Sequence, residues 1–148
     1  MSRKKAREIV LCLVFEKEYH KEAGCAGLYQ DLLELAENSE DLHGFKNKLN
    51  KADEEYIKET FFGVFENLEQ IDDIISGSII GWKYNRISKI SMALLRIAVY
   101  EIMNAGEDVS PSVAINEAVE LSKLYDDSKA YGFVNGVLGS IAKNIRSA

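Results

Sequence analysis

Proline is almost absent from this chain, with Pro111 the single one in 148 residues. That excludes proline-rich linkers and polyproline segments, and the long gaps between breakers favour helices. Cysteine is scarce as well. Cys12 lies in an apolar run and Cys25 near a turn, with no CxxC pair and no histidine at ligand spacing. A disulfide framework and a zinc site are therefore excluded, and Cys12 reads as a free buried thiol suited to a reducing cytosol. The two histidines, His20 and His43, lie in polar segments and read as exposed and inert. No Gly-rich phosphate loop, HExxH or GxSxG occurs. The acidic pairs Asp72-Asp73 and Asp126-Asp127 are adjacent in sequence, so on a helix they point roughly 100° apart. They read as solvated faces or turn caps rather than as acid and base. We expect no catalysis, no cofactor and no bound metal. No apolar stretch approaches the ~20 residues of a membrane span. The basic start and seven-residue apolar run, Ile9 to Phe15, are followed at once by Glu16, Lys17 and Glu18, which is not the form of a signal peptide. The expected compartment is the cytoplasm.

What the chain does contain is ordinary for a globular protein: 47% hydrophobic and 28% charged residues. At this length roughly 68–70% of the unfolded surface is buried on folding. One domain over residues 1–148 is expected, with room for two sub-bundles. The net charge of −6 argues against a general nucleic-acid coat, yet Arg3, Lys4, Lys5 and Arg7 put four cations in the first seven residues. An acidic body with a basic amino-terminal arm suits a local phosphate-binding site. The competing reading is a solubilising helix start. Cations at a helix amino terminus oppose the macrodipole, which counts against it. Arg3 and Arg7, four residues apart, should form one exposed stripe whose repulsion a polyanion would relieve.

Periodicity predicts helices throughout and no strand alternation. The first covers about Ser2 to Tyr19, with Ser2 as cap, and the second Gly27 to Glu37. A polar loop from Asn38 to Ala52 follows, anchored by Leu42, Phe45 and Leu49. Asp53 reads as an N-cap to apolar spacing that holds to Ile79, as one helix or as two with a kink near Asn67. Gly77 and Gly81 loosen its end, and Trp82 and Tyr84 read as a lid on the core. Ser88 caps a nearly all-apolar helix to about Ala105, in which Arg96 is the exception. A buried guanidinium needs a carboxylate, and Glu101 and Glu117 are the candidates. Ser110-Pro111 opens the next helix, with Ser as cap and Pro at the first helical position. The last runs from about Ser128 to Ile145. Gly132, Gly136 and Gly139 lie on it, each costing roughly 1 kcal/mol against alanine, so they suggest close approach of a helix or of a ligand. Asn135, between them, reads as a bridge to backbone groups of a neighbouring helix.

The segments RKKAREIVLCLVFE, Trp82 followed by RISKIS, LLRIAVYEI, VAINEAVELSK and FVNGVL fall in one order across most of the chain. In these it resembles the NusB family of transcription antitermination factors, most specifically from Ile87 to Leu138. The resemblance implies an all-α fold of about seven helices in two abutting bundles, and no catalysis. It also implies binding of boxA-type single-stranded RNA in nascent ribosomal RNA transcripts, jointly with the ribosomal protein NusE. Through that pair it implies indirect association with other Nus factors and RNA polymerase. By family position Lys129, Tyr131 and Phe133 lie beside the amino-terminal arm, and charge plus stacking is what a single-stranded RNA site needs. Tyr131 lies off the core stripe and is the better stacking residue, while Phe133 divides evenly between packing and RNA. Arg96, Glu101, Asn116, Glu117 and Asn135 read as a structural polar core. The chain departs from the family pattern at Asp126, where glycine is frequent, at Ala130, where serine is common, and at Ser91, where some relatives carry an acid. Two alternatives remain open: a non-catalytic module related to the amino-terminal domains of ribosomal RNA cytosine methyltransferases, and a self-associating helical protein whose homodimer masks the RNA arm.

Overall fold

Asn50 starts the third helix by accepting the Asp53 backbone N–H on its Oδ1 at 2.8 Å, while Asp53 Oδ2 accepts the Asn50 N–H at 3.3 Å. This reciprocal pair satisfies two donors that a helix start otherwise leaves open. Asp53 is therefore not the cap but the third helical residue, buried at 6% exposure. A computed structural model describes residues 3–38, 50–79, 86–104 and 110–147. Seven helices follow in order: α1 (Arg3–Tyr19), α2 (Cys25–Asn38), α3 (Lys51–Glu66), α4 (Leu68–Ser78), α5 (Lys89–Asn104), α6 (Pro111–Tyr125) and α7 (Ala130–Ser147). There is no strand among the described residues. The expected break near Asn67 is present as a single turn residue between α3 and α4, where the Ile71 N–H reaches the Asn67 carbonyl at 2.9 Å. Ser2, Gly81, Trp82, Tyr84, His43 and the loop anchors Leu42, Phe45 and Leu49 lie outside the described residues.

The chain divides into two compact units, residues 1–63 and 64–148. In the first, α1 packs on α2. Ala6, Ile9, Val10, Leu11, Leu13 and Val14 of α1, Tyr29 of α2, and Ile57 and Phe61 of α3 are its buried apolar residues. Cys12 faces outward, against expectation, because it falls off the stripe that these positions define; neither it nor Cys25 is in a disulfide. His20 is exposed, with Nε2 3.6 Å from Glu16.

In the second unit α5 is the central helix, packed on α4, α6 and α7. Every residue from Ser91 to Tyr100 is buried. Ile71 and Ile75 of α4, Ala114, Ala118 and Leu121 of α6, and Val134, Leu138 and Ile141 of α7 pack in the same core. The apolar periodicity read from the sequence thus describes the inward faces of these helices.

The start of α5 is tied to the turn after α6. Ser88 Oγ accepts the Ser91 N–H at 3.0 Å, as a capping serine should. The same hydroxyl donates to Asp126 Oδ2 at 2.7 Å, and Ser91 Oγ donates to that oxygen at 2.5 Å. Two of the family departures, Ser91 and Asp126, are therefore one structural feature. Partial burial pushes the Asp126 pKa up, but hydrogen bonds from Ser91, Ser88 and the backbone of Asp127 and Ser91 outweigh it and hold the carboxyl below its ordinary value. A depressed folded-state pKa contributes stability above the unfolded value, roughly 3.9, and that contribution is lost as pH falls through the folded value. Asp126→Asn is expected to lower stability at pH 7 and to narrow its gap to the parent chain as pH falls below about 4. Thermal unfolding across pH 3–7 checks this; a gap of constant size would refute it.

Candidate nucleic-acid interface

The four amino-terminal cations occupy the first two turns of α1, and they are not equivalent. Arg3, Lys4 and Lys5 are exposed, whereas Arg7 is buried at 7% exposure. Both arginines lie over Tyr56 of α3. The Arg3 guanidinium carbon lies 4.0 Å from its ring centroid and that of Arg7 lies 5.8 Å away. An aromatic face attracts a cation by roughly 0.5–2 kcal/mol. The repulsion expected along an Arg3–Arg7 stripe is therefore offset within the protein, and the exposed stripe does not form. Lys5 Nζ sits 3.1 Å from Glu8 Oε2. Lys4 has no ion pair with any described residue.

In the second unit, the turn between α6 and α7 presents Lys129. Asp127 Oδ1 accepts the Lys129 backbone N–H at 3.0 Å, and the Lys129 side chain is exposed with no ion pair to a described residue. Tyr131 is 42% exposed, and Lys123 Nζ lies 5.2 Å from its ring centroid. Phe133 is half-buried. The exposed set is thus Arg3, Lys4, Lys5, Lys129 and Tyr131. The first unit supplies cations for phosphate contact, and the second supplies a cation and a ring for base stacking.

The proposed polar core needs correction. Arg96 is buried as expected, but the carboxylate that takes its guanidinium in a two-bond pair is Asp72. Nε donates to Oδ1 at 2.9 Å and Nη2 to Oδ2 at 3.1 Å. Asp72 lies on α4, one residue after the buried Ile71, and so at the edge of the apolar face rather than on a solvated one. Glu101 and Glu117 are half-buried. Asn116 and Asn135 are exposed and not in the core at all. Gly132, Gly136 and Gly139 are exposed too, and a Cβ added at any of them would meet nothing within 4 Å. Close helix approach therefore does not explain these glycines. Tyr56 was missed because a tyrosine on an apolar stripe reads as core. Asp72 was missed because neighbouring acids read as solvated.

Among the described residues no cluster of three His, Cys, Asp or Glu side chains is placed to hold a metal ion. No helix among them is long and apolar enough to cross a membrane.

A model of the NusB family matches residues 4–143, nearly the whole chain. The chain belongs to the NusB family. The transcription antitermination protein NusB of Clostridium perfringens (strain SM101 / Type A) is 41% identical over 146 residues, covering 99% of this chain and 100% of the relative. That of Acetivibrio thermocellus is 38% identical over 143 residues, covering 97% and 90%. Among solved structures, T. maritima NusB superposes with a TM-score of 0.81 at 29% identity, covering 97% of this chain and 92% of the other. NusB in a crystal structure of the antitermination factors NusB and NusE with dsRNA superposes at 0.76 and 26% identity, covering 96% of each chain. The all-helical NusB fold read from the sequence is thus the fold of this chain.

Proposed function

We propose that this NusB-family chain is a transcription antitermination factor that binds boxA-type RNA together with NusE. Through that pair it helps assemble the antitermination complex on RNA polymerase, by binding rather than by catalysis. The observation that carries this reading is near-end-to-end identity of about 40% to proteins named for antitermination. The surface chemistry supports it. Arg3, Lys4, Lys5 and Lys129 are exposed cations on a chain of net charge −6, and Tyr131 offers a ring for stacking. Four phosphate contacts give a salt slope of about −3 for a single strand. A basic partner would add cations and steepen it.

Fluorescence anisotropy of a labelled single-stranded boxA-type RNA tests the proposal, beside a scrambled strand and a duplex of the same length, with and without NusE. Selective binding to the single strand, tightened by NusE, is the expected result. Equal binding to all three RNAs in both conditions would reject boxA reading. Sedimentation at rising protein concentration examines the self-associating alternative, in which a dimer that masks the arm should dissociate as RNA is added.

A further inference from the structure

Gly132 and Asn135 of α7 and Asn116 of α6 stand in a groove that the established family role leaves without a purpose. It lies between the two helices, encloses about 400 Å³, and is lined by Ile115, Asn116 and Val119 of α6 and by Tyr131, Gly132 and Asn135 of α7, with Ser112 and Lys123 at its edges. That volume falls at the small end of ligand sites, roughly 300–1,000 Å³. Asparagine and glycine are poor helix formers, so their use here calls for a reason. Packing does not supply it, because a Cβ at Gly132 would meet nothing. No described residue hydrogen-bonds either carboxamide.

We propose that this groove receives one unpaired base of the bound RNA, an assignment that rests on the RNA-binding reading above. Tyr131 supplies the stacking ring. Ile115 and Val119 are half-buried and form an apolar floor. Asn116 and Asn135 supply donor and acceptor atoms from both walls, and a single carboxamide can meet the N6/N7 edge of adenine with two hydrogen bonds. Adenine is accordingly the best-matched base. Lys123, whose ammonium lies 3.6 Å from Glu120 Oε1 as well as near the Tyr131 ring, stands at the rim where a phosphate would pass. An apolar partner helix fits the groove less well, because it would cover two carboxamides without satisfying them. Unpaired RNA bases are read in this way, by stacking on aromatic rings and by hydrogen bonds along an edge.

The test uses the full chain with Asn116→Ala, Asn135→Ala and the double variant. Both changes replace an exposed asparagine within a helix by a better helix former, so the melting temperature should hold or rise. Affinity for labelled single-stranded boxA-type RNA should fall about tenfold in the double variant. A series of RNAs, each with one abasic position, locates the seated base. At that position the parent chain should weaken by about as much, and the double variant should weaken no further. If the parent chain binds RNA and the variants bind equally well, the groove assignment is wrong and the RNA reading stands. A lowered melting temperature accompanying the affinity loss would make the asparagines structural and also overturn the assignment. So would loss of NusE binding with RNA affinity intact, which would give the groove to a protein. If the parent chain binds none of the RNAs, both proposals fall together.

Discussion

Asp72→Ala is expected to destabilise the fold by about 3 kcal/mol, within the range for breaking a buried ion pair. For a chain of this size that lowers the melting temperature by roughly 6–12 °C. The Arg96 side chain is 11% exposed and that of Asp72 28%, so the guanidinium bears most of the desolvation. Removing the carboxylate leaves that charge on the central helix without its two-bond partner. Removing both charges is less damaging, because a methionine in place of the arginine keeps the volume and needs no counter-ion. Asp72→Ala with Arg96→Met should therefore recover part of the loss from Asp72→Ala alone. Chemical denaturation of the single and double variants measures the coupling. If Asp72→Ala unfolds at the midpoint of the parent chain, the pair contributes nothing and the central-helix argument fails.

The second large effect separates Arg3 from Arg7. Lys4→Ala removes an exposed cation, so it should flatten the salt slope of RNA binding by about 0.7 and leave the melting temperature unchanged. Arg3→Ala should flatten the slope by about the same amount and lower the melting temperature slightly, because it also removes the contact with the Tyr56 ring. Lys129→Ala should flatten it by about the same amount. Arg7→Ala should act on stability instead, since its 7% exposure means that its truncation removes packing as well as charge. Tyr56→Leu should affect both, by freeing Arg3 and unpacking Arg7, whose guanidinium carbons lie 4.0 and 5.8 Å from its ring centroid. Anisotropy titrations from 50 to 200 mM salt, paired with melting curves, check the set. Arg7→Ala that melts like the parent chain but loses RNA would place it among the RNA contacts after all.

Much of the fold was legible because helical spacing is a local signal. Ile71 and Ile75 on α4, and Val134, Leu138 and Ile141 on α7, announce their buried faces within two turns, and the break at Asn67 follows from the change in that pattern. Partner choice was not legible, because it depends on helix packing rather than spacing. Arg96 demanded a carboxylate, but Asp72, 24 positions away, is brought to it by the packing of α4 on α5. The same holds for Asn50, which took the capping role assigned to Asp53, since the sequence offers two good caps three residues apart. Asn116 and Asn135 were misplaced by their neighbours: lying within apolar helices, they read as interior, yet each falls on the outward arc. For the candidate site, the sequence identified the charge of the arm, whereas the sharing of Tyr56 by two arginines required three dimensions.

The short turn from Asp126 to Lys129 bears on the entropy of recognition. Asp126 uses Oδ2 for Ser88 and Ser91 and Oδ1 for the Asp127 N–H at 2.8 Å, and Asp127 in turn holds the Lys129 N–H. A free turn would lose about 1–2 kcal/mol of backbone freedom per residue on being fixed by a ligand. Here the fixing is done by folding, before any ligand arrives. A chain of net charge −6 would gain from such preorganisation, because the modest attraction of a phosphate contact would not be spent on ordering the turn that delivers it.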